Sequence, residues 1–347
     1  MAGRAIVVGA GVIGLSAARA LRDDGFDVTV HEQHAVGTPL GSSSGRSRIY
    51  RLSYKKPAYV RLAARANEEW RRLDPSLLRA NGLLEHGRGV EQHAEALAGC
   101  GAEHRWLDRA EAQRLFPEAR FPDEPVLWHG DAGAVLADRA LERLARGLDI
   151  REGSRVERLE ELRADVVCVC AGAWLRRVVE LPLETQIEQV AYFAGAPDSR
   201  PSVVDHGGPD RDLHYGLVSP GVGYKLGSDG VSPGSFDPDR GERPVDEAVA
   251  ERFAEHVRTA FPGLDPRPLR SESCIYTWSP DGDFVLDRIG EYVVCGGDSG
   301  HAFKFGPLLG RLAADLAQGR ELPADAAMFR ADRFGSATTG RVPIDAL

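Results

Sequence analysis

Long basic runs are missing from this sequence, and its formal charge is −9, with 43 lysines and arginines against 52 aspartates and glutamates. That balance argues against nucleic acid or an anionic membrane as the main partner, though it leaves room for a local basic pocket holding a small anion. No apolar stretch approaches the length of a membrane span. Met1–Leu15 is apolar, but Gly9, Gly11 and Gly14 interrupt it and it leads straight into a helical pattern, so it reads as a first strand and turn and not as a signal peptide. Cysteine is scarce: five residues, an odd number without framework spacing, fit a reducing compartment, and a cytoplasmic location is expected. Internal repeats and low-complexity blocks are absent too. What is plentiful is apolar side chains (43%), together with 39 glycines and 21 prolines for turns, in 347 residues. That is enough chain for two domains of ordinary size, each with its own core.

The chain opens with strand, glycine turn, helix and strand. Arg4–Val8 is a short apolar run, Leu15–Arg22 is helical and stops near Gly25, and Asp27–His31 is a second strand. A long Gly- and Ser-rich loop is expected from about Ala35 to Tyr54. A helix follows from Pro57 to Leu73, with Tyr59, Leu62, Ala63, Ala66, Trp70 and Leu73 along one face. Asn81–Val135 is polar with short helix signals, among them a capping box of Asp108 with Glu111. Ala137–Gly147 is a helix. Asp165–Cys170 is a continuous apolar strand suited to a buried parallel sheet, and it runs into Ala171-Gly172-Ala173 and a short helix. From Ile187 the pattern alternates, and Leu213–Ser219 and Val222–Gly227 flank Pro220-Gly221 as a hairpin. Gly227–Pro244 reads as loop and Glu247–Phe261 as helix. Strand signals return at Ser273–Trp278, Phe284–Leu286 and Tyr292–Cys295, before Gly296–Gly300 and a helix over Lys304–Gln318.

Gly9-Ala10-Gly11-Val12-Ile13-Gly14 is a G-x-G-x-x-G between strand and helix. The first glycine permits the tight turn, the second admits a pyrophosphate to the backbone, and the third lets helix and strand pack closely; the helix N-terminus favours the negative charge. Glu32, just past the second strand, stands where an acid would take the adenosine ribose hydroxyls. A dinucleotide site follows. The motif alone does not separate FAD from NAD. A second strand–glycine turn–helix at Gly296-Gly297-Asp298-Ser299-Gly300 favours FAD, as a long cofactor touched by both ends of the chain.

Two further stretches carry a family resemblance. Cys274-Ile275-Tyr276-Thr277-Trp278-Ser279-Pro280-Asp281 and Gly300-His301-Ala302-Phe303-Lys304-Phe305 resemble the monomeric sarcosine oxidase and N-methyltryptophan oxidase family, within the D-amino-acid-oxidase superfamily. The loop Gly41-Ser42-Ser43-Ser44-Gly45-Arg46-Ser47-Arg48-Ile49-Tyr50-Arg51 and the strand Gly223-Tyr224-Lys225-Leu226-Gly227 are similar to its members in matching order and spacing. The resemblance implies an α/β protein with a Rossmann-like FAD domain on a parallel sheet and an α+β substrate domain on a largely antiparallel one. The FAD domain is expected from residues 1–80, 136–185 and 265–347, and the substrate domain from 81–135 and 186–264.

It also implies roles. Cys274 corresponds to the cysteine that carries a thioether to the flavin 8α-methyl; read alone, it is a small buried residue like Cys168, Cys170 and Cys295. Lys225 corresponds to the lysine near flavin N5 where oxygen is reduced, its charge favouring superoxide; read alone, it is a solvated lysine. Arg51 and Lys304 match a pair that holds a substrate carboxylate, and Arg48 an arginine set against the flavin. Tyr276 packs against flavin or substrate, and His301 is structural. The expected cofactor contacts are Gly9, Gly11, Val12, Ile13, Gly14, Glu32, Ser42, Ser43, Arg48, Gly172, Cys274, Gly300, Phe303 and Lys304.

The expected reaction is oxidation of a secondary amine or amino acid by hydride transfer to the flavin, then reoxidation by O2 to hydrogen peroxide, in a monomer. Asp229 and Ser44 stand where sarcosine oxidase has histidines, which makes sarcosine itself a doubtful substrate; Asp229 is either a partner for a second cation or a turn residue. The competing readings are a dehydrogenase or biosynthetic oxidase of a cyclic imino acid with another acceptor, a non-catalytic flavoprotein, and an NAD-dependent dehydrogenase.

Overall fold

The structure is a computed structural model that describes residues 2–208, 212–229, 235–241 and 243–335. Two sheets dominate it. The first has six strands in the order Val285–Ile289, Tyr292–Gly296, Val166–Val169, Arg4–Val8, Asp27–His31 and Asp149–Arg151. All its pairings are parallel except the outermost, Val285–Ile289 with Tyr292–Gly296. Its central strands are runs of Val, Ile and Cys because both faces are buried, Val7 and Cys168 in one core and Ile6, Val8, Val167 and Val169 in another. Val12–Asp23 packs on one face beside Gly306–Ala317. That pair comes very close: a Cβ on Gly310 would stand 2.4 Å from the Ser16 Cβ and 2.5 Å from the Ala17 nitrogen. Glycine is required there by the approach of two backbones.

The second sheet has eight strands, Arg270–Trp278, Glu184–Phe193, Gly223–Ser228, His214–Ser219, Ser202–Asp205, Leu83–His86, Val126–His129 and Arg105–Leu107. It is antiparallel except where Ser202–Asp205 meets Leu83–His86. Helix Glu247–Ala260 places Val249, Phe253 and Val257 in a core with Phe193, Tyr224 and Leu226 of that sheet. A small third sheet, Ser47–Tyr50 with Gly133–Leu136 and Leu78–Arg79, completes the strand inventory among the described residues.

The mixed fold, with a parallel Rossmann-like sheet and a second antiparallel sheet, is the one expected. The helix over 57–73, the Asp108–Glu111 capping box and the hairpin around Pro220-Gly221 also stand where the sequence put them. Two expectations fail. The span 35–54 is not all loop, since Ser47–Tyr50 is a strand paired to Gly133–Leu136. The polar span 81–135 carries strands at Leu83–His86, Arg105–Leu107, Val126–His129 and Gly133–Leu136, besides the helices Val90–Gly99 and Arg109–Leu115. Those strands are only three or four residues long and find their partners far away in sequence, so no local periodicity announces them. The segments 230–234 and residue 242 of the expected Gly227–Pro244 loop lie outside the described residues. Among the described residues no helix is long and apolar enough to cross a membrane.

Candidate active site

One cavity of about 530 Å³ runs from the glycine turn to the face of the eight-stranded sheet. Its far end is built as a nucleotide cradle would be. Gly9 has φ +101°, and a Cβ there would stand 2.4 Å from the Cys170 carbonyl oxygen. Gly14 does not line the cavity; a Cβ on it would come within 2.0 Å of the Gly9 oxygen, so it serves helix–strand packing. Glu32 closes the end of its strand by accepting from the Ala10 and His34 N–H groups, each at 2.8 Å. The Ser43 hydroxyl accepts from Val12 N–H at 3.0 Å and so ties the serine loop to the helix start.

The middle is lined by Ser42, Arg48, Gly172, Cys274, Gly300 and Phe303. Arg48 is held by main-chain carbonyls: Ser42 and Ser47 at 3.0 Å each, and Ser44. Its guanidinium also lies 5.7 Å from the Phe303 ring centre. Cys274 is half-buried, and its Sγ lies 3.5 Å from the Glu188 carbonyl. Burial raises the thiol to about 11, against the opposing pull of Arg48 and Lys225. Asp298, which the sequence did not single out, also lines the cavity; burial lifts its carboxyl to about 6 although the Gly300 and Thr277 N–H groups donate to it.

The near end is where cations gather. Lys225 is buried in strand Gly223–Ser228 and donates to the Ser47 carbonyl at 2.8 Å; burial first, then Arg48, lowers its ammonium to about 7. Arg51 is 8% exposed, donates to Ser53 and packs 4.4 Å from the Tyr54 ring centre. Lys304 donates to the Tyr54 hydroxyl at 3.1 Å and the His301 carbonyl at 3.2 Å. Burial and the neighbouring Arg51 push Lys304 well below the usual lysine range, while Asp229 acts the other way. Tyr276 meets Tyr215 hydroxyl to hydroxyl at 3.4 Å, and Asp229 lines the same end. His301 borders the cavity but packs into an aromatic cluster with Phe284 (4.4 Å), Tyr59 and Phe305.

Apart from Gly14, each site residue expected from the sequence lines this one cavity. Tyr54, Tyr215, Asp298 and the Ser47 carbonyl were missed. Only the approach of distant strands reveals them.

These residues fit an extended dinucleotide: a glycine turn closed to any side chain, an acid at the end of the second strand, and a cavity that continues past a cysteine to a cluster of cations. The fold and this cradle define a dinucleotide-dependent oxidoreductase. Residues 4–316 match the model of the FAD dependent oxidoreductase (DAO) family, and the chain belongs to that family. It is 29% identical to human peroxisomal sarcosine oxidase over 96% of both chains. It is 28% identical to N-methyl-L-tryptophan oxidase of Citrobacter koseri, covering 95% of this chain and 98% of that one. Among solved structures, NikD, an unusual amino acid oxidase of nikkomycin biosynthesis, superposes with a TM-score of 0.81 at 23% identity, over 95% and 97% of the two chains. L-proline dehydrogenase from P. horikoshii gives 0.82 at 20% identity, over 96% and 98%. At those identities the likeness is one of fold.

Proposed function

We propose that the protein is an oxidase of a small amine whose carboxylate is held by Arg51 and Lys304, an N-methyl or cyclic amino acid. The observation that carries this is that three buried basic residues, Arg51, Lys304 and Lys225, line the one cavity, with Arg51 and Lys304 close enough to act on each other. Bound FAD supplies the chemistry, accepting two electrons from the carbon beside the amine nitrogen and passing them to O2, with hydrogen peroxide as product. The protein orients and charges the site. Arg51, fixed by Ser53 and Tyr54, offers a planar fork to a carboxylate, and Lys304 adds a point charge beside it. Lys225 places a proton-bearing ammonium on the opposite sheet, where an oxygen anion would develop. No protein base is needed if the amine enters uncharged. Cys274, on the cavity wall, is the residue proposed to hold the flavin covalently.

Asp229 narrows the substrate class further. Its carboxylate acts on Lys304, Tyr215 and Tyr276, so it stands in the field of the substrate end and offers a place to a second cationic group. A cyclic imino acid passed to another electron acceptor is the second reading; Lys225 favours oxygen. Anaerobic mixing of the holoenzyme with N-methyl and cyclic amino acids, and with the same amines without a carboxylate, tests the proposal. The acids are expected to bleach the flavin far faster. Equal rates for both sets would remove Arg51 and Lys304 from substrate binding.

A further inference from the structure

A second buried cluster of titratable side chains lies outside the cavity, in the eight-stranded sheet. Strand Leu83–His86 runs between Ser202–Asp205, where Val204 faces Glu85, and Val126–His129, where Leu83 faces His129. The alternation of a strand puts Glu85 on the face of Leu83, and therefore of His129. The ladder continues one step, His206 N–H donating to the His86 carbonyl at 2.8 Å, which returns His206 to the face of Glu85. Helix Val90–Gly99 brings His93 to the same place.

The four side chains meet closely. Glu85 Oε2 is 2.8 Å from His206 Nε2 and 3.1 Å from His93 Nδ1, and Glu85 Oε1 is 3.4 Å from His129 Nε2. The donor atoms of Glu85, His93 and His206 all lie within 4.8 Å of one another. Exposure is 0% for Glu85 and His129, 3% for His93 and 4% for His206. Among the described residues no Lys or Arg hydrogen-bonds Glu85, while Glu85 Oε1 and His129 Nδ1 are left without a hydrogen-bond partner. A carboxylate buried with no Lys or Arg beside it is costly unless a cation joins it.

We propose that Glu85, His93 and His206 bind one divalent transition-metal ion, zinc by preference. Imidazole nitrogen with a single carboxylate suits zinc and its neighbours, whereas calcium and magnesium call for oxygen cages. Tetrahedral zinc with ligand distances of about 2.0–2.2 Å holds its donors roughly 3.3 Å apart. Glu85 Oε2 already stands 2.8 Å and 3.1 Å from the two histidine nitrogens, and the three donor atoms lie within 4.8 Å of one another. Deep burial of all three donors makes the site structural, pinning strand Leu83–His86, helix Val90–Gly99 and the segment at His206 together. It also borders the active site: His129 Nε2 lies 3.4 Å from Glu85 Oε1 and 3.3 Å from the Ser53 hydroxyl, and Ser53 accepts from Arg51. His129 is thus a positioning residue for the carboxylate-binding arginine.

The test uses tag-free holoenzyme, with elemental analysis after gel filtration. One zinc per chain is expected. Stripping with a strong chelator should lower the Tm, and zinc, but not magnesium, should restore it. His93→Gln and His206→Gln should each abolish the zinc while flavin per chain is kept. His256→Asn, which alters the stacked pair His214–His256 at 3.8 Å elsewhere on the protein, should retain it. If the glutamine variants do not fold, stripping and titration of the wild type decide the matter alone. Protein isolated without metal, whose Tm zinc, cobalt, nickel and iron(II) all leave unchanged, would overturn the site and leave a cluster that shares a proton instead.

Discussion

The Lys225 ammonium donates to the Ser47 carbonyl at 2.8 Å, a bond that ties the eight-stranded sheet to the small sheet carrying Arg48 and Ser47. The lysine therefore has a fixed position, no anionic partner at hydrogen-bonding distance among the described residues, and a proton affinity lowered to about 7 by burial and Arg48. Below that pH it is charged, and above it the charge is lost. The second-order rate of reaction of reduced enzyme with O2 is expected to fall as pH rises through about 7. In Lys225→Met the rate should be flat with pH and lower by on the order of 10²–10³, while reduction by substrate changes little. Stopped-flow measurement of the two half-reactions separates these effects.

Arg51 and Lys304 make a matching pair of predictions. Losing a charge-assisted contact costs about 1.5–3 kcal/mol, on the order of 10–100-fold in affinity. Arg51→Ala is expected to raise KM for a carboxylate substrate by that factor and to leave decarboxylated amines unaffected.

Lys304 is pushed down well below the ordinary lysine range, so in the empty pocket a share of it is neutral at a pH where free lysine is charged. A bound carboxylate stabilises the charged form. Binding of a non-oxidisable carboxylic acid should therefore take up protons, and affinity should weaken as pH rises above the depressed value. Calorimetry in buffers of different ionisation enthalpy reads the uptake directly, and Lys304→Met should abolish it.

Cys274 makes the cofactor proposal testable by pH as well. Its thiol is raised to about 11 by burial, and only the thiolate is nucleophilic. If FAD becomes attached there, incorporation into flavin-free protein should quicken as pH rises toward that value, and Cys274→Ser should release all its flavin on acid precipitation. Wild-type protein that also releases all its flavin would remove the covalent link and leave the fold untouched.

Gly310 tests the packing beneath the nucleotide turn. An alanine there meets Ser16 and the Ala17 backbone at 2.4–2.5 Å, and overpacking of this kind costs about 1–3 kcal/mol. Gly310→Ala is expected to lower the Tm by several degrees and to loosen FAD, because the helix that moves is the one beginning at Val12.

The nucleotide half of the site was legible because its signals are local: Gly9, Gly11 and Gly14 act within one turn, and Glu32 follows the next strand directly. The cation end was legible only through resemblance, since nothing near Arg51, Lys225 or Lys304 in the sequence says that they meet. The unread parts share one cause. Strand Ser47–Tyr50 pairs with Gly133–Leu136, and Glu85 gathers His93, His129 and His206 across distant strands, so both exist only after long-range pairing. Tyr54 and Tyr215 likewise take their roles from tertiary contacts with Lys304 and Tyr276.

The central claim is that electrons from a carboxylate-bearing amine leave for oxygen. It is tested most directly by reducing the holoenzyme anaerobically with such an amine, mixing it with O2 and counting the peroxide. The account predicts rapid return of the flavin spectrum with one peroxide per flavin reoxidised. A flavin that the amine reduces but that O2 reoxidises slowly, and only an added acceptor restores, would contradict it and make the protein a dehydrogenase.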